Sequence, residues 1–250
     1  MKIACDCDGI LLRRHRKRSG ADMIAMAGIF KFLQDAQADG SFVFVTDRPA
    51  GIIPVLAYQF HGARWHAAEN GSVLYDHHNS REIVLSKLGY YCRMIRPIVI
   101  EILEQQIGLN TESGPWQEGG RQVGIAIEAV PNQAVKFSNL QEILADIGCP
   151  LNIGSGSAPC IYPQGVDKRL AFRRLDEVYN FGSEPLYFIA DNDRDIPFGE
   201  EVVKVGGTVC GVGNSSKQYA DFVRANSGFL AKGIYEEGLL QILWEIFSRS

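Results

Sequence analysis

Two carboxylates separated by one residue, in Cys5-Asp6-Cys7-Asp8-Gly9, are the first residues of this sequence whose types and spacing suit chemistry. They close a short apolar stretch, and Gly9 eases a turn that would let Asp8 curl over Asp6. A second acidic group, Asp191-Asn192-Asp193-Arg194-Asp195, also follows an apolar stretch. Together the two groups form a hard-oxygen site suited to Mg2+, which takes one or two carboxylates with waters and phosphate oxygens. Singly, each is an ordinary acidic turn. Val45-Thr46-Asp47-Arg48 adds a hydroxyl at the end of another apolar run, and Gly165-Val166-Asp167-Lys168 adds a cation at a helix start. A carboxylate nucleophile, an acid/base carboxylate, a phosphate-binding hydroxyl, a neutralising lysine and a metal-binding acidic loop are the parts of phosphoryl transfer through an aspartyl-phosphate.

These residues need a scaffold that delivers them to one place. Residues 2–6, 41–46 and 186–190 are apolar and partly β-branched with polar ends, the pattern of buried parallel strands. Between the first two, Ile24, Ile29, Phe30 and Leu33 recur at helical spacing over residues 21–38, which makes a βαβ unit. A second helix starts near Pro49 and carries Ile53, Leu56, Ala57 and Phe60, and a strand over 64–68 runs into Glu69-Asn70-Gly71. The middle of the chain differs in character. A polar stretch at 76–81 precedes a long helical pattern with Ile95, Ile98, Val99, Ile102 and Leu103, a strand over 123–130, a helix over 140–147 and a Gly/Ser-rich stretch over 151–161. Helix–strand alternation then resumes with Leu170, Phe172 and Leu175, strands over 186–190, 202–205 and 208–212, and an amphipathic helix over 235–247.

The expected fold is α/β: a Rossmann-like doubly wound parallel sheet core from residues 1–80 and 163–250, with residues 81–162 inserted as an α+β cap. In such sheets ligands bind beyond the carboxyl ends of the strands, where Asp6, Thr46 and Asp191 fall.

Composition narrows the functions. The chain has 250 residues, 46% hydrophobic and 22% charged, which suits a globular protein with a sizeable core rather than a disordered or fibrous one. Its 25 Lys and Arg against 29 Asp and Glu leave a net charge of -4, so no global positive field draws nucleic acid or an anionic membrane. No apolar run approaches the roughly 18 residues of a membrane span, and the start of the sequence turns acidic early, so a cytoplasmic location is expected. Cys5, Cys7, Cys92, Cys149, Cys160 and Cys210 lack a CxxC pair and read as reduced, structural thiols. The basic run Arg13-Arg14-His15-Arg16-Lys17-Arg18 reads as a solvated loop. His77 and His78 read as an exposed linker, and Trp116, Gln117, Glu118, Arg121, Glu128 and Lys136 carry no assigned role.

The order of these parts resembles the haloacid dehalogenase superfamily, in particular its sugar-phosphate phosphatases with a large α/β cap. Asp6-Cys7-Asp8-Gly9-Ile10 is similar to the DxDGT motif, which implies Asp6 as nucleophile, Asp8 as general acid then base, and the Asp8 backbone carbonyl as a metal ligand. Thr46 and Arg48 match the first and last residues of TGR, with Asp47 in place of glycine, and Arg48 is implied in substrate binding. Lys168 matches the third-motif lysine. Residues 190–195 resemble GDxxND, so Asp191 and Asp195 join Asp6 and Asp8 as implied metal ligands, with Ala190 for Gly and Arg194 where Asn is commoner. Glu69-Asn70-Gly71 resembles the element at which related chains leave the core, and Asn214 of Gly213-Asn214-Ser215 is implied in substrate binding. The resemblance implies a Mg2+-dependent phosphomonoesterase of a small phosphorylated metabolite, a sugar phosphate or a phosphoglycerate-like compound. A phosphomutase on the same core, and a phosphometabolite-binding protein without turnover, are the alternative readings.

Overall fold

The computed structural model describes residues 1–12, 20–35, 40–110, 120–127, 138, 140, 142–143, 151–153 and 160–248. The basic run at 13–18, residues Trp116, Gln117, Glu118, Glu128 and Lys136, and most of the helix expected over 140–147 lie outside them.

An eight-stranded sheet forms the centre. Its strands are β1 (Lys2–Asp6), β2 (Phe42–Val45), β3 (Trp65–Ala68), β4 (Val73–Asp76), β5 (Arg81–Val84), β9 (Leu186–Ala190), β10 (Thr208–Gly211) and β11 (Phe229–Leu230). Their order is β11-β10-β9-β1-β2-β3-β4-β5, parallel except for the antiparallel β3-β4-β5 edge. Strand alternation explains how both faces become buried. Ile3, Cys5, Phe42, Phe44 and Ile189 point to one face and Ala4, Val43, Val45, Phe188 and Ala190 to the other. The first face is covered by α1 (Gly20–Asp35), α2 (Ile53–Gln59) and α7 (Tyr235–Ser248), through Ile29, Leu33, Leu56, Leu239 and Ile242. The second is covered by α4 (Lys168–Tyr179), α5 (Ile196–Lys204) and α6 (Lys217–Ala225), through Phe172, Leu175, Phe198, Val202 and Val223. Phe60 packs on Phe42 and Phe44 with ring centroids 5.7 and 5.8 Å away. Each such fully buried side chain contributes about 1.5–3 kcal/mol through removal from water.

Two elements depart from the sequence reading. Residues 202–205, expected as a strand, instead end α5: Phe198 and Val202 are four apart on its buried side, and Pro197 sits in its first turn, where its missing N–H costs nothing. A run of valines imitated a strand because β-branched residues on a buried helical face read alike over four positions. The polar stretch at 76–81 spans the turn of the β4–β5 hairpin at 77–80, closed by the paired Asp76 and Arg81, so the core sheet continues four residues past position 80, and His77 and His78 sit in this turn.

Between β5 and α4 lies a second layered unit. A helical run over residues 91–107, whose middle is α3 (Arg96–Glu101) between two wider turns, ends at Gly108 in the left-handed conformation. Below it, β6 (Ile125–Ala126), β8 (Cys160–Pro163) and β7 (Leu151–Ile153) form an antiparallel sheet in the order β6-β8-β7. Val99, Ile102, Leu103, Ile125 and Ile161 make its own apolar core. Among the described residues, no helix is long and apolar enough to cross a membrane.

His66 on β3 is fully buried, and its Nδ1 accepts the Phe44 backbone N–H at 3.0 Å. Burial, with His77 nearby, lowers its pKa from the ordinary 6.5 to about 3. As pH falls from about 6.5 toward 3, the unfolded chain takes this proton and the folded one does not, so stability falls by about 1.4 kcal/mol per pH unit. In urea unfolding between pH 6 and 4, a His66→Gln variant is expected to lose stability less steeply than the parent by about that amount per unit. Parallel pH slopes for the two proteins would refute a neutral buried His66.

Candidate active site

The parallel register sets the site. Asp6 is level with Val45 across β1–β2, and Cys5 is level with Ile189 across β1–β9. Asp6, Thr46 and Asp191 therefore emerge together at the carboxyl end of three adjacent strands. After Asp6 the chain turns tightly, with Leu11 and Leu12 both donating to the Cys7 carbonyl at 3.0 and 2.8 Å. Gly9 has φ +71°, and a Cβ built there would lie 1.8 Å from Asp191 Oδ2. Only a residue without a side chain allows this approach of the two acidic loops.

Lys168, the first residue of α4, is buried and donates from Nζ to Asp6 Oδ1 at 2.8 Å and to Asp195 Oδ1. Asp167 fixes the start of that helix by accepting from the Arg169 and Leu170 amides. Burial alone would lower the Lys168 ammonium, but Asp195 and Asp6 outweigh it and raise its pKa. Asp195 is nearly fully buried and also accepts the Asn192 amide, so its loop is closed by a reciprocal cap with Asn192. Burial and the charge of Asp195 push Asp6 well above the usual carboxylate range and Asp191 up to about 7.

Asp8 is held from the side. Arg48 grips its carboxylate with a two-pronged contact, Nε to Oδ2 at 2.8 Å and Nη2 to Oδ1 at 2.7 Å. Thr46 is fully buried and its Oγ1 accepts the Arg48 amide at 3.1 Å. Asn214 donates from Nδ2 to the Gly9 carbonyl at 3.0 Å and to Asp191 Oδ2 at 3.3 Å, while its Oδ1 accepts the Tyr235 amide at 2.7 Å. Its side chain thus ties both acidic loops to the start of α7. Arg48 and Asn214, expected at the substrate, are engaged here with Asp8, Gly9 and Asp191.

One oxygen each of Asp6, Asp191 and Asp195 lie within 4.8 Å of one another. With all three ionised, the Lys168 ammonium would leave two negative charges for a cation to balance, Asp8 being paired with Arg48. Hard oxygens in this number and charge fit a Mg2+ ion. Cys5 and Cys7 are buried, and burial followed by the charge of Asp6 raises both thiols, so neither is a poised nucleophile.

Three residues without an assigned role join the second unit to the core. Glu69, fully buried and with φ +46°, accepts the backbone amides of Gln122, Val123 and Gly124 at 2.7, 2.9 and 2.7 Å. Arg121 Nη1 and the Tyr162 hydroxyl donate to the Asp47 carbonyl at 2.7 and 2.8 Å. The signal for Glu69 was its place in Glu69-Asn70-Gly71, where consecutive left-handed residues turn the chain out of β3. Nothing in the local pattern marks Tyr162.

No protein-family model and no curated protein matches the sequence. Solved structures do. A protein from Thermoplasma acidophilum superposes with a TM-score of 0.72 at 17% identity, covering 100% of this chain and 99% of that one. The sucrose-phosphatase of Synechocystis, solved with sucrose and phosphate, gives 0.66 at 17% identity over 98% of both chains. A haloacid dehalogenase-like hydrolase from Bacteroides thetaiotaomicron gives 0.66 at 16% identity, again over 98% of both. The likeness extends through core and inserted unit alike, and by its architecture the chain has the fold of the haloacid dehalogenase-like hydrolases.

Proposed function

We propose that this chain is a Mg2+-dependent phosphomonoesterase that hydrolyses a small phosphorylated metabolite, a sugar phosphate or a phosphoglycerate-like compound, through an aspartyl-phosphate. The observation that carries this reading is Lys168 joined to both Asp6 and Asp195, with Asp191 in the same cluster and Asp8 held beside it by Arg48. A carboxylate with a buried lysine on one oxygen and an acid/base carboxylate two residues on is suited to attack phosphorus. Asp6 forms the O–P bond as the bond from phosphorus to the leaving alcohol breaks, and Asp8 gives that alcohol its proton. Asp8 then takes a proton from water, whose oxygen attacks phosphorus and breaks the bond to Asp6, releasing inorganic phosphate and returning Asp6 as a carboxylate and Asp8 as the protonated acid with which the cycle starts. Lys168 offsets part of the burial penalty on the Asp6 carboxylate and faces the charge that develops on the phosphoryl oxygens. Mg2+ held by Asp6, Asp191 and Asp195 would supply further neutralisation of the phosphoryl oxygens.

The unit between β5 and α4 serves as a cap in this reading, excluding water and reading the leaving group. A neighbour of the same fold solved with sucrose and phosphate supports the sugar-phosphate class. The test is phosphate release from a panel of phosphorylated sugars, phosphoglycerates, phosphoglycolate and nucleotides, with Mg2+ and with a chelator. Release that needs Mg2+ and favours the small sugar or glycerate esters is expected. Binding of a sugar phosphate with no release from any ester would sink the hydrolase reading.

A further inference from the structure

Asp47 and Arg194, the residues that stand where the resembling motifs carry Gly and Asn, meet in space. Arg194 Nη1 lies 3.5 Å from Asp47 Oδ2. Asp47 follows Thr46 in the loop after β2, and Arg194 precedes Asp195 in the loop after β9. Strands β2 and β9 are the two neighbours of β1. A contact between their two loops therefore crosses the carboxyl end of β1, the strand whose last residue is Asp6.

The two partners are held very differently. Asp47 is fixed through its carbonyl by Arg121 and Tyr162. Arg194 reaches it at a distance longer than a direct hydrogen bond, with its side chain 30% exposed. Such a contact carries little energy and exchanges readily. Arg48 and Lys168, in contrast, are committed to Asp8, Asp6 and Asp195 by shorter contacts. A guanidinium fork matches two oxygens of a phosphoryl group better than one distant carboxylate oxygen.

We propose that Arg194 is a phosphoryl-binding residue, held in waiting across Asp6 by Asp47 and passing from Asp47 to the non-bridging oxygens of the entering phosphoryl group. This rests on the phosphatase reading and adds to it a second cation, one that engages only when phosphate is present. Asp47 and phosphate then compete for the same fork, so substitutions of the two partners act in opposite directions.

The experiment measures inorganic phosphate binding by calorimetry in Mg2+, and Mg2+ binding alone, for the parent, Arg194→Gln, Arg194→Lys, Asp47→Asn and the Asp47→Asn/Arg194→Gln double variant. Arg194→Gln is expected to weaken phosphate at least about tenfold, and Arg194→Lys, which keeps the charge but loses the fork, by less. Asp47→Asn is expected to tighten phosphate about threefold, and that gain should vanish in the double variant. Mg2+ affinity should stay within about twofold throughout, because none of these substitutions removes a carboxylate of the Asp6, Asp191 and Asp195 cluster. Phosphate binding unchanged in Arg194→Gln would overturn the proposal, as would an equal gain from Asp47→Asn with and without Arg194, which is plain removal of a negative charge. No phosphate binding by the parent would overturn it too. If Arg194→Gln does not fold, Arg194→Lys carries the test, with parental affinity the overturning result. The expected binding pattern in a protein that releases phosphate from no ester would sink the phosphatase reading alone. Turnover by the parent with parental phosphate binding in Arg194→Gln would sink this inference alone.

Discussion

An Asp6→Asn protein is expected to release phosphate at least about a thousandfold more slowly than the parent while folding as well or better. The first half follows from losing the nucleophile while keeping the side-chain volume. The second half follows from the cost of ionising Asp6. Burial and the neighbouring charge of Asp195 raise its pKa, so the folded chain disfavours the carboxylate relative to the unfolded chain, and at pH 7 the charge subtracts from stability. Asparagine removes that charge and leaves Lys168 paired with Asp195. Without metal the variant should therefore melt at the parental temperature or a few degrees above it, each 1 kcal/mol being worth about 2–4 °C in a chain of this size. Added Mg2+ should stabilise the parent more than the variant, because stabilisation by a ligand of the folded state grows with the logarithm of its concentration over Kd. A variant that melts well below the parent would contradict the electrostatic account, and one with near-parental turnover would remove Asp6 from the mechanism.

Glu69→Ala is expected to have the largest structural effect. One buried carboxylate of the core receives three successive backbone amides of the inserted unit, just before β6. Alanine leaves those donors without an acceptor, at about 1–3 kcal/mol for each buried orphan, and on the order of 4 kcal/mol in all since Gln122 reaches water more easily than the others. Arg96 would still hold the Gly124 carbonyl from the other side, so the loss should be local. Hydrogen exchange of the Gln122, Val123 and Gly124 amides should speed up by two to three orders of magnitude, about what such an energy gives for local opening. Turnover should fall with it, since Arg121 is next in the chain and reaches the loop of Thr46. Glu69→Gln, which keeps one acceptor oxygen, should fall between. Unchanged exchange at these three amides would show that Glu69 is not the anchor.

The strand ends were legible because a central parallel strand is a short apolar run that stops at polar residues. Asp6, Thr46 and Asp191 were thus placed on one edge before any contact was known. Lys168 was legible in type but not in its double engagement, which joins residues 6, 168 and 195 across three elements. The fixing of Asp8 by Arg48 was hidden for the same reason, since the pair spans 40 positions. Val202 and Val203 misled because four residues do not separate a period of 2 from a period of 3.6. The β4–β5 hairpin was missed because a strand at a sheet edge is only partly covered, and Arg81 and Glu82 are exposed. Glu69, Arg121 and Tyr162 act through backbone groups of distant segments, and backbone partners leave no trace in side-chain patterning.

The strand that bears Asp6 precedes the other strands of the sheet in the sequence and takes a central place among them, between β2 and β9. Its β2 side can be filled once residue 45 is made, but its β9 side stays open until residue 190. At translation rates of about 5–20 residues per second, a growing chain carries that exposed edge for roughly 7–30 s. Asp195, Asn214 and the Tyr235 amide that steadies Asn214 come later still. On the ribosome, therefore, a half-made sheet with a bare central strand precedes any working site, and this is the stage at which a chaperone has most to protect.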